Sequence, residues 1–261
     1  MKLPLFFKSF FTLYKSLMKA IAGYILTILF WGGFWFLLIL FHPIQLIANH
    51  LSGYHSRKKT VDVLNFLLLK NLWVLGARFS FKGFEKIPAN RPLIIIANHQ
   101  STLDISPVAW GFGKYHPKFI SKIELQRGIP SISYNLRHGG SALIDRNSKS
   151  QSIKEIIKLG RHIEKEKYAA CIFPEGTRSK DGKLKKFQSA GIITLLRSSP
   201  SAIVVPFAID GNNQLVAKGN FPLALGVRVN YTALDPIDPA GKDPEEVVKM
   251  AETAISRALK Q

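Results

Sequence analysis

The chain has almost no cysteine. Its 261 residues include one, Cys171, so no internal disulfide can form and the main domain needs no oxidising compartment. Cys171 lies within the apolar run 169–173, where we interpret it as a small buried side chain rather than a nucleophile. The histidines are widely scattered, and no Cys/His cluster has the spacing of a zinc site. We therefore expect no disulfide-stabilised scaffold and no bound metal.

Acidic residues are also scarce. The chain has 36 Lys and Arg against 17 Asp and Glu, which gives a net charge of +19. Such an excess favours anionic partners: nucleic acid, an anionic membrane surface, or a phosphorylated or acidic carrier. The sequence has no recognisable nucleic-acid-binding motif. A basic nucleic-acid-binding protein is therefore an alternative that rests on charge alone, and we predict no nucleic-acid partner.

No charged residue occurs between Ala20 and Phe41. About 20 apolar residues are enough to cross a bilayer. A secretory signal peptide would have a shorter apolar region followed by a small-residue cleavage site, whereas Phe41-His42-Pro43-Ile44 follows here. We therefore predict a retained membrane anchor.

Basic residues flank this anchor on both sides, and no acidic residue appears before Asp62. The positive-inside rule draws both flanks toward the cytoplasm, which predicts the cytoplasmic face of the inner or plasma membrane. Either the helix enters and turns back at Gly32-Gly33 or His42-Pro43, or two helices lie in the interface with phenylalanines in the lipid. We favour this bent or interfacial anchor over a simple span. The flanking residues are Lys2, Lys8, Lys15, Lys19, Arg57, Lys58 and Lys59, and the phenylalanines are Phe6, Phe7, Phe10 and Phe11.

A second apolar stretch runs from Val61 to Ala77. Its large side chains recur at helical spacing, with Asn71 as the one polar member of the face. A helix packed on the globular domain and a helix lying on the membrane are nearly equal interpretations. We assign residues 1–78 to N-terminal membrane-anchoring helices and residues 79–261 to one globular domain.

The globular domain alternates apolar runs with amphipathic stretches. Continuous apolar runs are typical of strands covered on both faces, and they occur at 93–97, 142–144, 169–173 and 203–208, with weaker candidates at 118–120 and 228–232. We predict helices at 152–165 and from Pro244, the second capped by Asp243 with Glu246 as the reciprocal cap. This alternation predicts an α/β domain with a mainly parallel central sheet flanked by helices.

His99 and Asp104 form an H-x4-D pattern just past a predicted strand. Residues five apart on one helix point about 140° apart, so the two side chains meet only if His99 is on the loop and Asp104 in the first helical turn. Ser101 is the expected N-cap of that turn. Asp104 would then bond one imidazole nitrogen and leave the other as a base that deprotonates an acceptor hydroxyl directly. The alternative is a surface histidine beside a helix-capping aspartate.

A second motif, Phe173 to Ser179, also follows a predicted strand. Pro174 ends the strand and Gly176 permits a tight turn. Arg178 can grip a phosphate with two hydrogen bonds, while Glu175 can anchor the loop or bond an acceptor. An ordinary strand-end turn with an ion pair is the alternative.

A third segment, Gly140 to Arg146, places another arginine at a strand end, where ligands of parallel sheets gather. Alone, Asp145-Arg146 would more often be a local salt bridge. We interpret the nearby lysines as mainly solvated, with a smaller chance of contact with phosphate or an acidic acyl carrier. They are Lys118, Lys122, Lys183, Lys185 and Lys186.

These segments resemble the ordered blocks of the glycerolipid acyltransferase family, particularly its 1-acyl-sn-glycerol-3-phosphate (lysophosphatidic acid) acyltransferases. Asn98 to Asp104 matches the first block and Phe173 to Ser179 the third. Gly140 to Arg146 matches the second, although Leu143 stands where an aromatic residue is frequent. Val205 to Ile209 matches the last, proline-containing block, so the resemblance covers roughly residues 82–209.

The resemblance implies a membrane-bound O-acyltransferase that moves a fatty acyl group from acyl-CoA or acyl-carrier protein to the sn-2 hydroxyl of lysophosphatidate, giving phosphatidic acid. Another acceptor, such as a lyso-ornithine lipid or another lysophospholipid, is the alternative. A pseudoenzyme is disfavoured because the H-x4-D pair is intact. No cofactor beyond the acyl donor is implied, and we make no prediction of oligomeric state. The implied roles are catalysis for His99 and Asp104; substrate binding for Arg146, Glu175, Gly176, Thr177 and Arg178; and an acyl or acceptor pocket for Val205 and Pro206.

Overall fold

One sheet of seven strands organises the chain in the computed structural model, which describes residues 5–179 and 181–261, with side chains from Tyr14 onward except Ser16. The strands are β1 (Arg78–Lys82), β2 (Leu93–Ala97), β3 (Lys118–Lys122), β4 (Ala142–Ile144), β5 (Ala169–Ile172), β6 (Ile203–Asp210) and β7 (Arg228–Ala233). The helices are α1 (Leu5–Asn71), α2 (Ile105–Gly111), α3 (Ile132–His138), α4 (Lys149–Glu166), α5 (Ser189–Ser198), α6 (Asn212–Leu215) and α7 (Pro244–Ala258).

The strand order is β1-β7-β6-β2-β5-β3-β4. The five strands from β6 to β4 run parallel. Strand β7 pairs antiparallel with β6, and β1 pairs parallel with β7. The prediction of a mainly parallel sheet is confirmed. Sequence patterns did not predict β1, because this edge strand (Arg-Phe-Ser-Phe-Lys) is only half-buried and is not a continuous apolar run.

Alternate residues of the central strands supply two separate cores. In β2, Leu93 and Ile95 pack in the core shared with α1 and α2, whereas Ile94 and Ile96 pack against α4, α5 and α7. All four side chains are fully buried. Helices therefore cover both faces, which explains why the inner strands are apolar at every position.

Helix α1 folds back on itself at Gly53, whose φ of 68° and ψ of −154° interrupt the helix. The two limbs pack antiparallel, and Asn71 Nδ2 donates to the Phe30 carbonyl at 2.8 Å across them. The expected bend at Gly32-Gly33 or His42-Pro43 is wrong, because the helix continues through both. Gly33 serves close packing instead: a Cβ there would lie 2.6 Å from Asn71 Oδ1.

Both limbs pack on the globular domain, the first through Phe30 and the second through its last turns. Leu69, Leu72 and Leu75 are buried in the core, which supports the interpretation of 61–77 as a helix packed on the globular domain. Leu64 and Leu68 pack with side chains of the first limb. The predicted boundary between residues 78 and 79 stays a prediction.

The first limb presents a broad apolar face to solvent. Large side chains stand out from it along its length, including Ile28 (60% exposed), Phe36 (63%) and Leu51 (74%). By length and composition, the segment Leu17–Leu75 is the one stretch of the described residues that could cross a membrane. Only 22% of its most apolar window is buried. The side chains of Phe6, Phe7, Phe10 and Phe11 lie outside the described ones, so their predicted contact with lipid stays a prediction.

A buried lysine fixes the turn of α1 to the domain. Lys118 Nζ donates to the Tyr54 hydroxyl at 2.6 Å, and that hydroxyl donates to His116 Nδ1 at 2.7 Å. The ammonium group also lies 4.5 Å from the Tyr54 ring centre and 4.9 Å from that of Tyr168. Burial, with the nearby Lys58 charge, lowers the pKa of Lys118 to about 7. The expectation that Lys118 is solvated is therefore wrong.

The N-terminus of α7 also differs from prediction. The helix begins at Pro244 as expected, but Asp243 makes no side-chain capping bond and the reciprocal bond from Glu246 is not formed. The Asp243 carbonyl instead accepts from the Val247 amide at 3.1 Å. Glu245 accepts a bond from the Ser189 hydroxyl at 3.1 Å, so a carboxylate of the first turn ties α7 to α5.

Candidate active site

The predicted site loops meet at one edge of the sheet, because β2, β4, β5 and β6 run in the same direction and end there. His99 follows β2, the loop 173–179 follows β5, and Arg146 follows β4. The loops after β2 and β5 are direct neighbours in the strand order. This edge is where ligands of parallel sheets bind.

His99 and Asp104 meet as the sequence predicts. Ser101 caps the turn by accepting a bond from the Leu103 amide at 3.0 Å, and this places Asp104 behind His99. His99 Nδ1 lies 2.7 Å from Asp104 Oδ2, with the carboxylate fully buried and the imidazole 20% exposed. The acceptor role of Asp104 assigns the proton to Nδ1, which leaves Nε2 unprotonated and without a partner among the described residues.

Asp104 is held by more than His99. Its Oδ2 also accepts from the amides of Gln100 at 2.6 Å and Ser101 at 2.9 Å, and its Oδ1 accepts from Asn212 Nδ2 at 2.7 Å. These hydrogen bonds fix the position of the carboxylate behind the imidazole.

The imidazole is also held on its face. The His99 ring stacks on Phe173, with ring centres 4.4 Å apart and planes inclined by 28°. Phe173 begins the motif Phe173 to Ser179, but the sequence predicted no role for its side chain. Stacking fixes the plane of the ring, and the contact with Asp104 fixes which nitrogen points toward the carboxylate.

Glu175 ties the two site loops together. One carboxylate oxygen accepts from the His99 amide at 2.6 Å, and the other accepts from the Lys185 amide at 3.1 Å. The side chain is buried, and burial raises the pKa of its carboxyl group while the two amide bonds oppose the rise. A further bond from the Ser179 amide to the His99 carbonyl at 2.8 Å joins the same loops. These contacts favour the loop-anchoring interpretation of Glu175.

The turn after Glu175 is closed by a lysine. Gly176 has a φ of 71°, and a Cβ there would lie 2.9 Å from Gln188 Nε2, so glycine suits both the backbone and the space. Lys185 Nζ donates to Thr177 Oγ1 at 3.0 Å and to the Arg178 carbonyl at 2.9 Å. Lys185 is therefore bound to the loop that carries Arg178.

Two guanidinium groups stand open at this edge. Arg146 and Arg178 are exposed, and within the described part of the chain neither side chain has a hydrogen-bond or ion-pair partner. Arg178 is on the loop adjacent to His99, whereas β4 lies three strand spacings from β2, about 14 Å. Lys122, also exposed, ends the intervening strand β3. Positive charge thus extends along the edge from His99 to β4.

The remaining predicted site residues lie inside the sheet. Val205 is fully buried in the core, and Pro206 is buried within β6, its carbonyl accepting from the Leu234 amide at 2.9 Å. Their role in lining a pocket stays a prediction. Over the described ranges, no group of three His, Cys, Asp or Glu side chains is arranged to hold a metal ion.

Buried amides support the site from the β6 side, and sequence reasoning gave them no role. Asn98 joins β2 to β6 by donating to the Ile209 carbonyl at 2.8 Å and accepting from its amide at 2.7 Å. Gln100 accepts from the Asn213 amide at 3.2 Å. Asn212-Asn213 directly after a strand was the available sign, because polar residues at a strand end belong to the same edge.

The sequence model of the family described as Acyltransferase matches residues 78–210, half of the chain, including the loops that carry His99, Arg146 and Arg178. The chain belongs to this family. It is 22% identical over 242 residues to 1-acyl-sn-glycerol-3-phosphate acyltransferase alpha of Mus musculus, covering 89% of this chain and 78% of the mouse protein. It is 29% identical over 194 residues to an uncharacterized acyltransferase of Schizosaccharomyces pombe, covering 71% and 67%. The crystal structure of the 1-acyl-sn-glycerophosphate (LPA) acyltransferase PlsC from Thermotoga maritima superposes with a TM-score of 0.77 at 26% identity, covering 93% of this chain and 96% of that one.

Proposed function

We propose that the protein transfers a fatty acyl group from an acyl thioester to the sn-2 hydroxyl of 1-acyl-sn-glycerol-3-phosphate, giving phosphatidic acid. The observation that carries this proposal is the 2.7 Å contact between His99 Nδ1 and Asp104 Oδ2, which leaves Nε2 free at a loop next to Arg178. The names of the mouse and Thermotoga relatives support lysophosphatidate as the acceptor.

The reaction needs one proton to be moved twice. His99 Nε2 takes the proton of the acceptor hydroxyl as its oxygen attacks the thioester carbonyl carbon, and the imidazolium is stabilised by Asp104. The new C–O bond forms, the C–S bond breaks, and the departing thiolate takes the proton back from His99. The thioester is already activated, so the step calls on no cofactor besides the donor, acyl-CoA or acyl-carrier protein.

The acceptor phosphate is assigned to the guanidinium groups. Arg178 lies on the strand loop adjacent to His99, and a phosphate held there keeps the hydroxyl of a short glycerol backbone near Nε2. Arg146 follows β4, about 14 Å along the edge from β2, and would contact the outer side of the phosphate or the acidic part of the donor. Charge-assisted bidentate bonds give such contacts both energy and orientation.

Membrane attachment follows from the first limb of α1. Its exposed apolar side chains, such as Ile28, Phe36 and Leu51, would be costly in water and are suited to lipid. The cytoplasmic face rests on the basic residues that flank the apolar segment in the sequence, as the positive-inside rule favours. A lipid substrate would then reach the site without leaving the membrane surface.

A panel of acceptors tests the proposal. Purified full-length protein in detergent micelles is given oleoyl-CoA with lysophosphatidate, lysophosphatidylcholine, lysophosphatidylethanolamine or a lyso-ornithine lipid, and products are resolved by mass spectrometry. We expect turnover of lysophosphatidate above the others. Turnover of another acceptor in its place would overturn the assignment of the acceptor while keeping the acyl transfer. Replacing oleoyl-CoA by acyl-carrier protein in the same assay identifies the donor.

A further inference from the structure

Asn212 connects the carboxylate of Asp104 to a tyrosine on the antiparallel strand. Asn212 begins α6 directly after β6 and is fully buried. Its Nδ2 donates to Asp104 Oδ1 at 2.7 Å, and its Oδ1 accepts from the Tyr231 hydroxyl at 3.1 Å. Tyr231 is itself fully buried on β7. Two buried polar groups therefore continue the hydrogen-bond chain that starts at His99.

We propose that Asn212 and Tyr231 are positioning residues that hold the Asp104 carboxylate in place and satisfy its Oδ1, and thereby set the lowest pH at which His99 acts as a base. The inference rests on the proposed function of His99. A side-chain amide can present either its NH2 group or its oxygen to a neighbour. The Tyr231 hydroxyl donates to the amide oxygen and so turns the NH2 group of Asn212 toward Asp104. Each member of the chain fixes the orientation of the next.

Three titratable side chains face Asp104 from the packed elements: His99 from the loop after β2, Cys171 from β5 and Tyr231 from β7. Burial, reinforced by the Asp104 charge, raises the pKa of the Cys171 thiol and of the Tyr231 phenol well above their usual ranges. Both stay protonated at neutral pH, so Tyr231 remains a donor. Glu175 is a further carboxyl group near His99, on the loop after β5.

Loss of the Asn212 side-chain amide would change the balance between protonated and neutral His99. Without Asn212 Nδ2, the remaining partner of Asp104 Oδ1 is the Ser101 hydroxyl at a long 3.3 Å. A buried carboxylate that accepts fewer hydrogen bonds from neutral groups is stabilised more strongly by a positively charged neighbour. Protonated His99 is then favoured, and a higher pH is needed to free its Nε2.

The test compares the pH dependence of Asn212→Leu, Tyr231→Phe and the wild-type full-length enzyme. Its readouts are kcat/KM for lysophosphatidate from pH 5 to 9 and the rate at which diethyl pyrocarbonate modifies His99, followed by mass spectrometry. For Asn212→Leu we expect the acidic limb of both profiles to shift to higher pH by about one unit. Tyr231→Phe should shift it in the same direction by less. At pH 6 this is about a 10-fold loss of kcat/KM, with most activity regained at pH 9.

The neighbouring Asn213→Leu is the matched control, because its contact with Gln100 is made by the backbone amide. An equal loss at every pH, or unmoved profiles in both variants, overturns the proposal. If Asn212→Leu does not fold, Tyr231→Phe decides alone, since it removes one hydroxyl and keeps the ring. Modification of His99 needs no acceptor, so its pH profile tests the positioning role even if lysophosphatidate is not the substrate.

Discussion

Replacing Glu175 by glutamine should weaken the link between the two site loops without changing the size of the side chain. Both carboxylate oxygens accept a backbone amide, from His99 at 2.6 Å and from Lys185 at 3.1 Å. Glutamine offers one oxygen and one NH2 group, so one of the two amides faces a second donor. An unsatisfied buried donor costs about 1–3 kcal/mol. A loss of about 2 kcal/mol corresponds to a fall of about 4–8 °C in Tm for a chain of this size.

Activity should fall further than stability suggests. The His99 amide is the closer partner of Glu175, and a displaced His99 backbone moves Nε2 away from the acceptor hydroxyl. Misplacement of about 1 Å costs up to about 100-fold in rate, so we expect kcat for Glu175→Gln to fall by about 10- to 100-fold. Release of CoA from oleoyl-CoA can be followed with a thiol reagent, because the one cysteine of the chain, Cys171, is fully buried.

Glu85→Gln is the control for the same chemical change. Glu85 is exposed and follows β1, which ends at the edge of the sheet opposite to the site loops. It should leave both Tm and kcat as in the wild type. If Glu175→Gln also keeps the wild-type Tm and kcat, the anchoring role argued from its two amide contacts is refuted.

Three further changes test other parts of the molecule. His99→Ala should lower kcat by about 10²- to 10⁴-fold with little change in Tm or in flotation with liposomes, and substantial remaining transfer would contradict the base assignment. Arg178→Ala should raise the KM for lysophosphatidate about 10-fold and more than Arg146→Ala does, because Arg178 is on the loop next to His99; a larger rise in the KM for oleoyl-CoA would contradict this. The pKa of Lys118 falls from 10.5 to about 7 on folding, so the unfolded chain binds more protons between these values and the free energy of unfolding should rise with pH from 7 to 10. Lys118→Met should flatten that slope in urea unfolding, and an unchanged slope would show that Lys118 is not its source.

The sequence predicted the inner strands because their burial is local information. β2 and β5 are covered on both faces, so each is a continuous apolar run that can be recognised without knowing its neighbours. The edge strand β1 has no such pattern. The turn of α1 at Gly53 was missed for a related reason: glycine at position 33 serves close packing on Asn71, and the sequence does not distinguish a packing glycine from a bending one.

The contacts of the site differ in the same way: local ones can be predicted from the sequence, and those made by tertiary structure cannot. His99 and Asp104 lie five residues apart, so the geometry of one turn is enough to predict their contact. Asn212 reaches Asp104 across 108 residues, and only the strand order brings β6 beside β2. The role of Lys185 depends on its contacts with residues 175–178, which its own position in the sequence does not indicate. Partners supplied by tertiary structure have no local spacing from which to infer them.

The pairing of β1 with β7 has a consequence for how the enzyme is made. The Ser80 hydroxyl bonds Asn230 Oδ1 at 2.9 Å across 150 residues of chain. Synthesis of that length takes about 8 to 30 s at about 5–20 residues per second. During this interval the apolar limb of α1 has already been synthesised, while Tyr231 does not yet exist. We expect a nascent chain with the lipid attachment proposed above to contact lipid before the edge that carries His99 is complete, because the apolar limb is made first.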